Sequence, residues 1–289
     1  MIHTSKQLKD KVRNISKGDN EVAKALIRIF MMERFLERVS LSKYKNNFIL
    51  KGGMLVASIV GVDMRATMDI DTTVKALPLN EADAERIITE ICEIPLEDGV
   101  SFKITSVTNI MTDFEYPGIR MMLEATLDRM RQPIKLDIST DDVITPAAVE
   151  YEYKLMFEDR MISLLSYNTE TLLAEKMQTI IARGLANTRM RDFYDVCGIV
   201  RLNADKIDYD LLVEAFQATC KKRETVFSIS EIEDTLSKIK NDEPLAKRWG
   251  QFRKKNFFVG DLQWEETLQE VLHIMGKLID VMQWQLDND

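Results

Sequence analysis

The stretch from Phe48 to Val74, FILKGGMLVASIVGVDMRATMDIDTTV, constrains this chain more than any other. It reads as an apolar strand, a Gly-Gly turn, a short helix from Met54 ended by Gly61, and a second strand over about Met68 to Ala76 that carries Asp69 and Asp71. Alternate residues of a strand point to the same face. Asp69 and Asp71 therefore stand side by side, with Ile70 turned to the other face and into a core. Two like charges held that close repel unless something positive lies between them. A divalent metal bound by hard carboxylate oxygens meets that need. The competing reading is the wet face of a half-exposed edge strand, and D-x-D alone does not separate the two.

Around this stretch the chain changes character once. An amphipathic helix runs from Glu21 to about Ser42, with Asp19 or Asn20 as its N-cap. Pro78-Leu79-Asn80 leads into a helix over Glu81 to Cys92. Residues 101–115 alternate as a strand, Tyr116-Pro117-Gly118 reads as a turn, and Ile119 to Asp128 as its partner strand. Pro133 to Ser139 is a further strand with Asp137 inside it, and 151–165 holds one or two more. After Asn168 the pattern is helical: Thr169 to Arg183, Met190 to Leu202, Tyr209 to Cys220, Ser230 to Lys240 and Trp264 to Gln285. The expected fold class is α+β, a mixed sheet with flanking helices (1–165) followed by a C-terminal helical bundle (166–289).

Composition narrows the function classes. The 289 residues suit one large or two modest domains, and the net charge of -8 argues against a basic coat for nucleic acid while leaving room for a local basic groove. Three separated Cys and two His, with no C-x-x-C, argue against a zinc site and for reduced thiols, as in the cytoplasm. The polar start has no signal-peptide pattern, and no apolar run approaches the ~18 residues of a membrane span.

Two further groups of residues carry chemistry. Lys135, Asp137 and Ser139 share one face of their strand, opposite Ile134, Leu136 and Ile138. Asp137 converging with Asp69 and Asp71 on one or two metal ions would make a site that activates a hydroxyl nucleophile and stabilises a departing pyrophosphate oxygen. The Gly52-Gly53 turn, feeding a helix N-terminus, either cradles an anion on backbone N–H groups or is an ordinary strand-to-helix turn. Lys176 lies beside the apolar stripe Leu172, Leu173, Met177 and Ile180, so its ammonium comes close to the core. A triphosphate would satisfy it, as would Asp192 or a stem that carries the charge out to water. Asp192 and Asp195 sit one turn apart; they either orient Lys176 or an Arg, or Asp192 simply complements a helix N-terminus.

The order K-G-G, R-x-T-x-D-I-D, K-L-D-I, L-L-A-E-K-M-Q-T-I and R-D-F-Y-D-V resembles the AbiEii/AbiGii toxins of bacterial abortive-infection and toxin–antitoxin systems, within the DNA polymerase β-like nucleotidyltransferase superfamily. The resemblance runs from about Phe48 to Arg201. It implies a nucleotidyltransferase-like fold and a growth-inhibiting toxin that uses Mg²⁺ (or Mn²⁺) and an NTP. By it, Asp69, Asp71 and Asp137 hold metal and assist catalysis, Gly52, Gly53, Thr67, Lys176 and Asp195 bind nucleotide, and Asp192 joins Lys176 in the catalytic set. It also implies a co-encoded antitoxin and an acceptor hydroxyl such as a tRNA 3′ end; a protein or small molecule is the alternative acceptor, and GTP binding without transfer the alternative activity. Met54 departs from the family's usual Gly-Gly-Ser or Gly-Gly-Thr, which removes a phosphate-binding hydroxyl.

Two basic stretches stand against the acidic total, Lys221-Lys222-Arg223 and the longer Lys247 to Phe258. Lys247 to Phe258, KRWGQFRKKNFF, interleaves five cations with Trp249, Phe252, Phe257 and Phe258. Cations that track a backbone and aromatics that stack on bases suit single-stranded RNA. The alternative is an amphipathic segment whose aromatics lie in a helical core.

Overall fold

The computed structural model describes residues 1–61, 65–77, 80–112, 115–140 and 142–288, without the side chains of 111, 112 and 115–117. The chain divides into two compact units, 1–142 with 149–166, and 143–148 with 167–289.

The first unit is built on a seven-stranded mixed sheet. Its elements are α1 (Ser5–Ser16), α2 (Asn20–Leu41), β1 (Phe48–Lys51), α3 (Gly52–Val60), β2 (Asp69–Val74), α4 (Glu81–Cys92), β3 (Val100–Thr112), β4 (Glu115–Leu127), β5 (Met130–Thr140), β6 (Val149–Lys154) and β7 (Met161–Ser166). The strand order is β3-β4-β5-β2-β1-β7-β6. Pairing is antiparallel except between β2 and β5 and between β1 and β7. Asp19 caps α2, its carboxylate accepting from the amides of Glu21 and Val22, and Asn80 caps α4 by accepting from Asp83. The Pro78-Leu79 entry to α4 lies outside the described residues.

Apolar rows cross this sheet because register aligns them. Met121, Leu136 and Ile70 are neighbours on β4, β5 and β2, and so are Ile119 and Ile138 on β4 and β5. All five are essentially buried. The polar rows alternate with these by the two-residue period of the pleat.

The turn expected at Tyr116-Pro117-Gly118 is not there: 115–127 is continuous strand. Gly118 pairs with Ile110 on one side and Ser139 on the other. A Cβ at Gly118 would stand 2.8 Å from the Ile138 carbonyl oxygen, so this glycine serves close strand approach and not chain reversal. β5 is also longer at both ends than the Pro133 to Ser139 segment, because its pairing with β4 extends to Met130.

The second unit is helical: α5 (Thr169–Arg183), α6 (Met190–Asn203), α7 (Tyr209–Lys222), α8 (Ile229–Lys240), α9 (Glu243–Lys255) and α10 (Trp264–Asn288), with short 3-10 turns between some of them. α5 packs on α6 and α7, and α10 on α6, α7 and α8. Leu172, Leu173, Phe193, Val196, Leu212, Ile274 and Leu278 fill the interior. No helix among the described residues is long and apolar enough to cross a membrane.

Candidate active site

The polar face of the central strands gathers charge in two rows. Arg120, Asp137, Asp71 and Lys51 are successive register partners across β4, β5, β2 and β1. One step along the sheet, Asp69 is the partner of Lys135. Parallel pairing of β2 with β5 thus sets Asp71 directly beside Asp137, two acids side by side. One carboxylate oxygen from each of Asp69, Asp71 and Asp137 lies within 4.8 Å of the others. Oxygen ligands at 2.0–2.6 Å from one divalent ion are at most about 5 Å apart, so this donor set fits a hard cation.

The local chain holds these acids in place. Thr67 is fully buried, and its hydroxyl lies 3.2 Å from the Asp69 carbonyl and 3.3 Å from the Asp69 Oδ1. The Gly53 N–H donates to Asp71 Oδ2 at 3.2 Å. Gly52 has φ of +61°, and a Cβ on it would come within 2.7 Å of the Asp71 Cβ and Cγ. A Cβ on Gly53 would press on Thr67 and, at 3.1 Å, on an Arg65 guanidinium nitrogen. The glycines are the first two residues of α3, which starts two residues before the Met54 expected, and their lack of side chains lets the start of the helix lie against the acidic strand. No side chain caps the α3 N-terminus. Met54 is completely buried, so the position where a hydroxyl was expected points into the core.

Electrostatics follow from the crowding. Burial pushes the Asp71 carboxyl up to about 6; Asp69 and, less strongly, Asp137 push the same way, opposed by the Gly53 amide and by Lys51. Asp137 accepts a two-pronged pair from Arg120, Nε to Oδ1 and Nη2 to Oδ2, both 2.8 Å. The Lys135 ammonium lies 2.5 Å from Asp69 Oδ2 and 3.5 Å from Asp137 Oδ2. Lys51 pairs with Asp142, which also accepts from the Ser139 hydroxyl. Strand alternation had put Lys135 on the face of Asp137. Arg120 carried no sequence signal, because only the β4–β5 register brings it there.

The second unit builds a separate buried charge cluster. Lys176 on α5 is 9% exposed, and its ammonium lies 2.7 Å from Asp195 and 3.5 Å from Asp192 on α6. Arg189 Nε donates to the other Asp192 oxygen at 2.8 Å. The three-residue spacing of the acids puts both on one helix face, toward α5. Of the readings open for Lys176, the one seen is pairing with these two acids.

Residues 34–272 match the family described as nucleotidyl transferase AbiEii toxin, type IV TA system. The chain belongs to this family. An AbiEii protein is a nucleotidyltransferase and the toxin of a two-component system whose other member is an antitoxin. Among curated proteins nothing matches the chain. Among solved structures it is similar to JHP933 from Helicobacter pylori, at 17% identity and a TM-score of 0.48, covering 91% of this chain and 95% of that one. It is also similar to an antigenic nucleotidyltransferase-like protein from Paracoccidioides brasiliensis, at 15% identity and a TM-score of 0.37, covering 82% and 94%.

In this AbiEii chain the basic segment Lys247 to Phe258 spans most of α9 and the turn after it. Trp249 is 2% exposed, and its indole N–H donates to the Leu262 carbonyl. Trp249, Phe252 and Phe258 cluster around Tyr194, and Trp249 also meets Trp264. Phe257 alone of the four aromatics is well exposed, at 39%. The segment is thus an amphipathic helix and the turn after it, with Trp249, Phe252 and Phe258 turned inward and Lys247, Lys254, Lys255 and Phe257 in water.

Proposed function

We propose that the protein transfers an NMP from an NTP to an acceptor hydroxyl, with release of pyrophosphate, at the centre formed by Asp69, Asp71 and Asp137. The observation that carries this reading is the convergence of three carboxylates from two strands whose register is fixed on both sides. Asp69, Asp71 and Asp137 would hold Mg²⁺ or Mn²⁺, which when bound supplies charge neutralisation for the phosphates and a more acidic acceptor hydroxyl. Asp137, steadied by Arg120, faces the acceptor and takes its proton. The Gly52-Gly53 start of α3 is the candidate phosphate contact, its Gly53 N–H also donating to Asp71, and Thr67 holds Asp69 at its angle. Lys176, with Asp192 and Asp195, is a nucleotide-binding candidate within the second unit. The acceptor is a tRNA 3′ end, met by the exposed cations of Lys247 to Phe258, and the activity arrests growth in the cytoplasm, as in phage defence, until the antitoxin counters it.

A second reading, GTP binding without transfer, is favoured by one observation: Met54 offers the turn no hydroxyl and is buried. The deciding experiment incubates the protein with each labelled NTP, Mg²⁺ and total tRNA. Label on RNA that disappears in Asp69→Ala supports transfer. Saturable NTP binding with no label on RNA, protein or small molecule would replace transfer with binding.

A further inference from the structure

The three acids do not face one another unneutralised. Arg120 and Lys135 both touch them, and the two differ in kind. Arg120 is a planar fork engaged with both oxygens of Asp137, held on its neighbouring strand. Lys135 is a point charge on a flexible stem, and its ammonium touches oxygens of two different acids, Asp69 and Asp137. Those same acids belong to the group of three whose oxygens converge. The ammonium thus lies between two of the three carboxylates that a divalent ion would use. Its side chain is 28% exposed, so the stem has a way out to water.

We propose that Lys135 is an exchangeable internal counter-cation: it bridges Asp69 and Asp137 while the centre holds no metal, and a divalent ion that enters displaces it. This rests on the reading of the acids as metal ligands. It gives Lys135 two consequences. Lys135 keeps the centre folded between turnovers, when three acids would otherwise repel. It also lowers apparent metal affinity, because each binding event must break the ammonium pair. The displaced ammonium, still tethered beside the centre, is then available to a polyphosphate.

The test measures Mn²⁺ binding by electron paramagnetic resonance, without nucleotide, for the wild type, Lys135→Met, Lys135→Arg and Lys103→Met. Lys103 is exposed on β3 and makes the same change of net charge away from the acids. A charge-assisted pair of this kind corresponds to roughly tenfold in an equilibrium. Lys135→Met is expected to bind Mn²⁺ roughly tenfold more tightly, with Lys103→Met and Lys135→Arg within about twofold of wild type. A second measurement needs no variant: reductive methylation of Lys135, read by mass spectrometry, rises when Mg²⁺ is added. Wild type that takes up Mn²⁺ with the same affinity as Lys135→Met, and shows no change in Lys135 labelling, overturns the exchange and leaves the metal centre standing. No Mn²⁺ uptake by either protein overturns both.

Discussion

Gly52→Ala tests whether the glycine turn is there to seat the acidic strand. Gly52 has φ of +61°, where an L-residue is strained by about 1–2 kcal/mol. The added Cβ would also lie 2.7 Å from the Asp71 Cβ and Cγ, well inside ordinary contact. β1 and β2 are paired along their length, so the backbone gives little, and Asp71 must rotate. Rotation breaks the 3.2 Å bond from the Gly53 N–H, a charge-assisted bond that contributes about 1.5–3 kcal/mol. The combined loss is about 2.5–5 kcal/mol, which at roughly 2–4 °C per kcal/mol for a unit of this size lowers Tm by about 10 °C. Gly18→Ala is the control: its φ is +91°, but nothing lies within 4 Å of its Cβ, so it bears the conformational strain alone. Thermal unfolding with Mn²⁺ binding reads both effects, with binding weakened at least about tenfold in Gly52→Ala and unchanged in Gly18→Ala. If Gly52→Ala melts with Gly18→Ala and binds Mn²⁺ like the wild type, the steric argument for the turn is wrong.

Other outcomes follow from the same contacts. Arg120→Gln is expected to slow nucleotidyl transfer with little change in Tm, because the Arg120 side chain is 40% exposed and such pairs contribute about 0–1 kcal/mol to stability; a melting scan beside the transfer assay checks it. Lys176→Met leaves Asp192 and Asp195 buried without their ammonium and should cost about 3 kcal/mol or more by urea unfolding. Burial raises the Glu33 carboxyl to about 8, against the opposing pull of Arg34 and of the Met156 amide. A raised acid contributes stability that is fully present below its unfolded pKa and is lost as pH rises through the folded one. Glu33→Gln should therefore match the wild type near pH 5 and exceed it near pH 9 in urea unfolding. Met54→Ser buries a hydroxyl and opens a cavity, so it is expected to lower Tm without strengthening NTP binding in a fluorescence titration.

Much of the centre was legible because strand alternation is local. The two-residue period alone puts Asp69 with Asp71 and Lys135 with Asp137, and it turns Ile70, Leu136 and Ile138 inward. The starts of helices α4 and α5 are legible because the caps at Asn80 and Asn168 are side-chain chemistry written in the sequence. Pro117-Gly118 misled for a related reason. A glycine that admits a close neighbouring strand has the same local signature as one that reverses the chain. The rings of Lys247 to Phe258 were equally ambiguous, since interleaved aromatics and cations describe both a stacking surface and an amphipathic helix with its rings buried.

The sequence by itself determined which residues share a face, where the chain passes from sheet to helices, and that an acid pair follows a glycine turn. These depend on spacing within one element. The tertiary structure decided that Asp137 lies beside Asp71, that Arg120 and Lys135 meet these acids, and that Lys176 is paired with Asp192 and Asp195. Each of these depends on the register between strands or the packing of two helices. Register is selected by burial of whole apolar rows, a property of the assembled sheet that no short motif contains.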